Sequence, residues 1–394
     1  LIVSVPQRRD TLDALTSLRF FAALLVFTWH CVPVRQFSGT FSLGYIGVGF
    51  FFILSGFILT YSYHAAFAGG LSVAAVRSFY AARIARVVPL HLVAMPPMLV
   101  LLQVFGNPWW TGVVLRTRVT EVVAQAFLVQ SWFSDRAIHF GANGPDWSIS
   151  VEAFFYALFP LLAFGLLRSF RSAPPRAALA TAFGLWVLEV CVLLPQHVHV
   201  NEWRLYVFPP TRLADFVVGM LLGIAVLRAD PTARWRLRGT SVEMLALAAI
   251  GLSIFVSPLL PLALRFSAAL MPAWAFAIYA FASRRGAISR LLAHPVLVRL
   301  GEVSFAFYLV HLSVIVLMTN VLGTDHPLFA AASFGTALAL SFALFHGVEQ
   351  PLRERIRRAL DGGARSRSAR GDGSRRAAPA GEQRGFHVQP RKAV

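Results

Sequence analysis

The sequence predicts an all-α polytopic membrane protein with about ten transmembrane helices plus one short re-entrant or interfacial helix. Three observations carry this. Of 394 residues, 57% are apolar and only 14% are charged, which is outside the composition of soluble domains. Apolar windows of about 20 residues, the length that crosses a hydrocarbon core of about 30 Å, recur along the chain. Arginines gather in alternate connections between those windows, as expected where cytoplasmic loops carry the basic excess.

The windows fall at 12–33, 44–64, 86–106, 147–167, 178–195, 209–228, 240–257, 266–283, 296–320 and 328–348. An eleventh stretch, 119–133, is short and holds Glu121, Gln125 and Gln130. If it does not cross, Arg77, Arg83 and Arg86, then Arg168, Arg171 and Arg176, then Arg228, Arg234, Arg236 and Arg238, then Arg284, Arg285, Arg290 and Arg299 all share one side. If it crosses, the pattern breaks, so ten crossings with both termini cytoplasmic is the expectation. The expected location is the bacterial cytoplasmic membrane. The first segment is long, contains Arg19 and precedes nine further spans, so it is not expected to be a cleaved leader. Residues 1–11 form a short cytoplasmic lead, 12–352 the membrane domain, and 353–394 a basic tail without apolar periodicity, expected to be disordered.

Composition also excludes. Cys31 and Cys191 both lie in apolar segments, so neither a disulfide framework nor a metal site has support. Lys392 is the only lysine among 36 basic residues. That bias reflects arginine- and alanine-rich, GC-rich coding rather than a nucleic-acid partner, and none is expected.

Ionisable residues inside a membrane mark function by default. Arg19 and His30 stand eleven residues apart in the first window, on one helical face within about 20° and separated by about 16 Å. Singly, Arg19 could snorkel and His30 could pack; together they make one face polar at two depths. Arg83 and Arg86, one turn apart in "RIARVVPLH", stand at the entry of the third window, as anchors or as phosphate ligands. The fourth window opens "WSISVEAFFY", with Ser148, Glu152 and Tyr156 at four-residue spacing behind Trp147. The ninth holds Ser304, Tyr308 and His311 along one face. His30, Glu152 and His311 thus come from separate helices to a similar depth in the outer half. A proton relay of a transporter places groups this way, and so does an acid–base enzyme.

These motifs in this order resemble the integral-membrane acyltransferase family 3. The resemblance runs from residue 11 to about 358 through "LTSLRFFAALLVFTWH", "GVGFFFILSGFILT", "RIARVVPLH", "WSISVEAFFY", "GEVSFAFYLVH" and "VEQPLR". It implies an enzyme that acylates hydroxyls of carbohydrates or natural products such as macrolides. Acetyl-CoA or another acyl-CoA would be the co-substrate, with no permanently bound cofactor. Arg19, Arg83 and Arg86 are then the expected donor-binding residues, and His30, Glu152, Ser148 and His311 the catalytic set. Trp147, Tyr156, Ser304 and Tyr308 are the expected substrate contacts. In the mechanism this suggests, His30 takes the proton of the acceptor hydroxyl or carries the acyl group itself, with Glu152, directly or through Ser148, orienting it. The chain ends about forty residues after its last window, so no appended hydrolase-like domain is expected. The rival is a proton-coupled transporter.

Overall fold

The computed structural model describes residues 12–31, 44–106, 113–197, 201–229, 239–282, 286–356 and 358, and contains no strand among them. Expectations for 1–11 and for the tail from 359 lie outside the described residues. Eleven principal helices follow in order: α1 (Asp13–His30), α2 (Gly44–Phe67), α3 (Val73–Phe105), α4 (Leu115–Ala126), α5 (Trp147–Ser169) and α6 (Pro175–Leu193). Then come α7 (Leu213–Arg228), α8 (Gly239–Val256), α9 (Met271–Ala282), α10 (Pro295–Leu322) and α11 (Phe329–Leu344), the last running on through a π-helical turn at Phe345–Glu349. Each of the ten expected windows holds a helix, and among the described residues eight helices are long and apolar enough to cross a bilayer. The other two windows hold α1, 18 residues carrying Asp13 and Arg19, and α9, only 12 residues. At 12 residues, α4 is about 18 Å long, too short to span.

The third window begins earlier than expected. Helix starts at Val73, where Ser72 Oγ accepts the Ala75 N–H at 3.1 Å, and alanine-rich sequence carries it onward. Arg83 and Arg86 are therefore inside a 33-residue helix, not in a connection ahead of it.

In lipid, helices associate by close packing rather than by a hydrophobic drive, so small residues mark their crossings. α2 and α7 cross where a Cβ on Gly56 would collide with the Phe216 carbonyl and one on Gly219 with the Ile53 carbonyl. Gly301 brings α10 equally close to α1 at Thr16. Phenylalanines fill the space between: Phe155 and Phe216 stack at 4.7 Å, and Phe52 meets Phe155 edge-on at 5.2 Å. α10 packs against α1, α3 and α11, and its His311 reaches His30 of α1.

A buried ion pair braces α7. Arg212 Nη2 lies 2.9 Å from Asp215 Oδ2, both fully buried, and Arg212 Nη1 donates to the Phe266 carbonyl at 2.5 Å. Ser267 Oγ donates to Glu189 and lies 3.3 Å from Asp215. The irregular backbone at 266–270 replaces the first turn of the expected eighth window, because its carbonyl and hydroxyl serve this pair.

Outside the spans, Glu121 of α4 is buried, with Oε1 accepting the Ala142 N–H at 2.5 Å and Oε2 without a hydrogen-bond partner. Burial pushes its carboxyl up to about 7, against the lowering effect of the Ala142 N–H and Arg118. The folded state therefore holds a proton that the unfolded chain releases near 4.5. The stabilisation is complete below that value and is lost as pH rises through about 7. Glu121→Gln should flatten the fall in melting temperature across this window, measured by thermal unfolding in detergent; an unchanged slope would refute the assignment.

Candidate functional site

The polar residues named from the sequence divide between two cavities. The narrower, about 150 Å³, is lined by Arg19 of α1, Ser55 of α2, Arg83 and Arg86 of α3, and Glu152 and Tyr156 of α5. The wider, about 820 Å³, is lined by Trp29 and His30 of α1, Trp147 of α5, and Tyr206, Phe266 and Leu312. Val48 and Tyr308 line both, so the two cavities adjoin across these side chains.

In the narrow cavity, Glu152 Oε1 accepts hydrogen bonds from Ser55 Oγ at 2.9 Å and Tyr156 OH at 2.5 Å. Arg19 and Arg86 both feel the charges of Glu152 and of Glu349, in the π-helical turn after α11. Arg353 Nη1 lies 3.2 Å from Glu349 Oε1. Arg83 Nη2 donates to Tyr63 OH at 3.4 Å, while its guanidinium lies over the Tyr63, Phe79 and Tyr156 rings at 5.7–5.9 Å. Four guanidinium groups (Arg19, Arg83, Arg86, Arg353) face two carboxylates (Glu152, Glu349), so the cluster is cationic by two charges. Planar donor forks in excess of their carboxylates suit phosphate.

Glu152 was expected beside His30 and His311, and it is not there. Its hydrogen-bond partners are on α2 and α5, at the arginine end. Counting residues from a helix end fixes axial depth only to a turn or so, and it does not give the direction a side chain takes between neighbours.

His30 does meet His311. His311 Nδ1 lies 2.6 Å from the Tyr308 carbonyl, which can only accept, so Nδ1 carries the proton and Nε2 the lone pair. His30 Nδ1 lies 2.9 Å from the Val26 carbonyl and 3.3 Å from His311 Nε2. It therefore donates to both, and the neutral His30 ring has its lone pair on Nε2. His311 is wholly buried, whereas His30 borders the wide cavity.

Ser148 and Tyr308 come together where the cavities touch: Ser148 Oγ to Tyr308 OH is 2.7 Å, and both hydroxyls reach the Pro145 carbonyl, at 3.0 and 2.9 Å. Ser304 Oγ, by contrast, donates to the Gly301 carbonyl of its own helix at 2.7 Å. Trp147 packs on Tyr206 at 4.5 Å in the wall of the wide cavity.

Several residues outside the expected site support this arrangement. Asp146 is wholly buried between His91 Nδ1 at 3.3 Å and Asn143 Nδ2 at 2.8 Å, and Asn143 Nδ2 also donates to the Leu309 carbonyl at 3.0 Å. Gln130 Nε2 donates to the Asp146 carbonyl at 2.9 Å. This cluster clamps the turn before α5 onto α10 next to Tyr308. Ser55, within the quoted "GVGFFFILSGFILT", donates to Glu152. His91 and Glu349 stood inside quoted motifs and carried no separate signal. The i, i+3 pairing of Arg212 with Asp215 was legible as opposite charges on one face.

Comparison with known proteins adds to this geometry. A family model described as an acyltransferase domain matches residues 12–346. The chain is 34% identical over 363 residues to the acyltransferase MdmB of Streptomyces mycarofaciens, covering 86% of this chain and 88% of that protein. It is 25% identical over 368 residues to the putative peptidoglycan O-acetyltransferase YrhL of Bacillus subtilis, covering 88% of this chain but 56% of that protein. It is 25% identical over 219 residues to the O-acetyltransferase OatA of Staphylococcus aureus, or 54% of this chain and 34% of that one. The chain thus spans 56% and 34% of the length of these two O-acetyltransferases. No solved structure matches it.

Proposed function

The chain belongs to the membrane acyltransferase family whose domain spans its residues 12–346, and from that membership we propose that it moves acetyl or another short acyl group from acyl-CoA to a hydroxyl of a carbohydrate or a glycosylated natural product such as a macrolide. The observation that carries this reading is a narrow arginine-lined cavity adjoining a wide histidine-bearing one across Tyr308. A slender thioester arm with phosphates at its far end suits the first. A bulky acceptor suits the second, whose volume is that of a typical small-molecule site.

Arginine-rich connections support a cytoplasmic location for the narrow cavity and for both termini, in a bacterial cytoplasmic membrane. Arg19, Arg83 and Arg86 hold the donor's phosphates there. His30 Nε2 takes the proton of the acceptor hydroxyl as its oxygen attacks the thioester carbon. The carbon–sulfur bond then breaks, and the CoA thiolate takes that proton from the imidazolium. His311, rather than Glu152, orients the base, because its Nε2 accepts the His30 Nδ1 proton that the imidazolium retains. Glu152, tied to Ser55 and Tyr156, balances the arginines.

The rival is a proton-coupled transporter, which the buried histidines and carboxylates alone would also fit. Purified protein in detergent, given acetyl-CoA and a hydroxylated acceptor, should release free thiol in step with acylated product. A transporter leaves the thioester intact, and an intact thioester across a panel of sugar and macrolide acceptors would overturn the reading.

A further inference from the structure

Acyl transfer through a tetrahedral intermediate needs hydrogen-bond donors where the carbonyl oxygen becomes an oxyanion, and such donors are often the largest single catalytic contribution. The arginines stand at the far end of the narrow cavity, and the histidines face the wide one. Between them, at the junction, are two hydroxyls.

Ser148 Oγ and Tyr308 OH lie 2.7 Å apart, and each is within hydrogen-bond reach of the Pro145 carbonyl. At 2.7 Å the two oxygens cannot both turn their protons to Pro145 without setting lone pair against lone pair. One hydroxyl therefore donates to the other, a neutral hydrogen bond of modest net strength. An oxyanion is a stronger acceptor by about a factor of two, so that proton has a better partner once charge develops. Ser148 stands in the first turn of α5, where the positive end of a 23-residue helix adds to the same field.

The pair is also held in place. Asn143 and Asp146 tie the Pro145 turn to the Leu309 carbonyl, the residue after Tyr308, and Ser131 Oγ ties the Trp147 carbonyl at 2.6 Å. Tyr308 shares its helical turn with His311, whose Nδ1 donates to the Tyr308 carbonyl. Base and hydroxyl pair are thus set on one rigid segment, which is what preorganised donors require.

We propose that the Ser148–Tyr308 hydroxyl pair forms the oxyanion hole of the acyl-transfer step, one hydroxyl donating to the thioester oxygen at the junction of the two cavities and the second donating to the first. The proposal rests on the acyltransferase reading. As the acceptor oxygen adds to the thioester carbon, the carbonyl π electrons move to oxygen; one hydroxyl turns its proton to that oxygen and the second donates to the first, so neither loses its proton and no lone pairs are opposed. When the carbonyl re-forms, the electrons return, sulfur leaves, and the two protons swing back to their resting acceptors.

The test is steady-state kinetics of Tyr308→Phe and Ser148→Ala with acetyl-CoA and a productive acceptor. Each should lower kcat about 10²- to 10³-fold, with KM for acetyl-CoA within about threefold of the parent, because the bond is made in the transition state and not in the ground state. The double variant should lose far less than the product of the two single losses. A merely structural role would instead raise KM or lower the melting temperature. Retention of kcat within about threefold in Tyr308→Phe, or a loss confined to KM, overturns the proposal. If Tyr308→Phe does not fold, Ser148 decides: Ser148→Thr restoring activity that Ser148→Ala loses supports the hydroxyl role, and equal loss in both overturns it. An unmodified protein that never consumes the thioester would refute the enzyme reading instead, so the two failures are distinct.

Discussion

His30→Ala lowers kcat by about 10²- to 10⁴-fold, the contribution of a positioned general base, while acyl-CoA binding stays near that of the parent protein. The expectation follows from the separation of the cavities. His30 borders the wide one, and the arginine cluster that would hold the donor borders the other. Single-turnover rates and equilibrium binding of a non-hydrolysable acyl-CoA analogue check the two halves independently. Loss of donor binding with residual turnover would move His30 out of its assigned role. Because His30 Nδ1 is engaged by Val26 and His311, Nε2 is the nitrogen assigned as base, and the acceptor hydroxyl is expected to approach it.

Arg19→Gln and Arg86→Gln behave in the opposite way. Each removes a charge-assisted contact of about 1.5–3 kcal/mol, so KM for acyl-CoA rises about 10- to 150-fold while kcat at saturation changes little. The decisive control is acyl-pantetheine, which carries the thioester but no nucleotide phosphates. With that donor the variants and the parent should match. An equal penalty with both donors would mean that the arginines act on the thioester or on the fold. The excess of four guanidinium groups over two carboxylates suggests that either arginine can be removed without leaving Glu152 or Glu349 wholly uncompensated.

Together these results would define a donor end and an acceptor end along a single helix, α1, whose Arg19 and His30 reach one into each cavity. The acyl group would then pass from one cavity to the other at Tyr308.

Local pattern made much of this legible. Hydropathy windows placed a helix at each of ten positions, because crossing a bilayer favours long apolar runs, and eight of those helices are long and apolar enough to span. Intramembrane polarity singled out Arg19, His30, Glu152 and His311, because an ionisable group there is rarely accidental. Helical spacing put Tyr308 and His311 on one face. Window edges were less secure. Residues 73–86 carry arginines and look like a connection, yet alanine-rich sequence behind a serine cap continues the helix through them.

The sequence by itself determined the class of the protein and the positions of its helices, and it named the candidate polar side chains, since all of these follow from the transfer of single residues and short periodic runs between water and lipid. Only the tertiary structure decided which of those side chains meet. It gave His30 to His311, Glu152 to Ser55 and Tyr156, and Ser148 to Tyr308. The physical reason is that partnership across helices depends on the rotation and close approach of each helix. Those are set by glycine crossings such as Gly56 with Gly219 and by the phenylalanines packed between them, and no one-dimensional period records them.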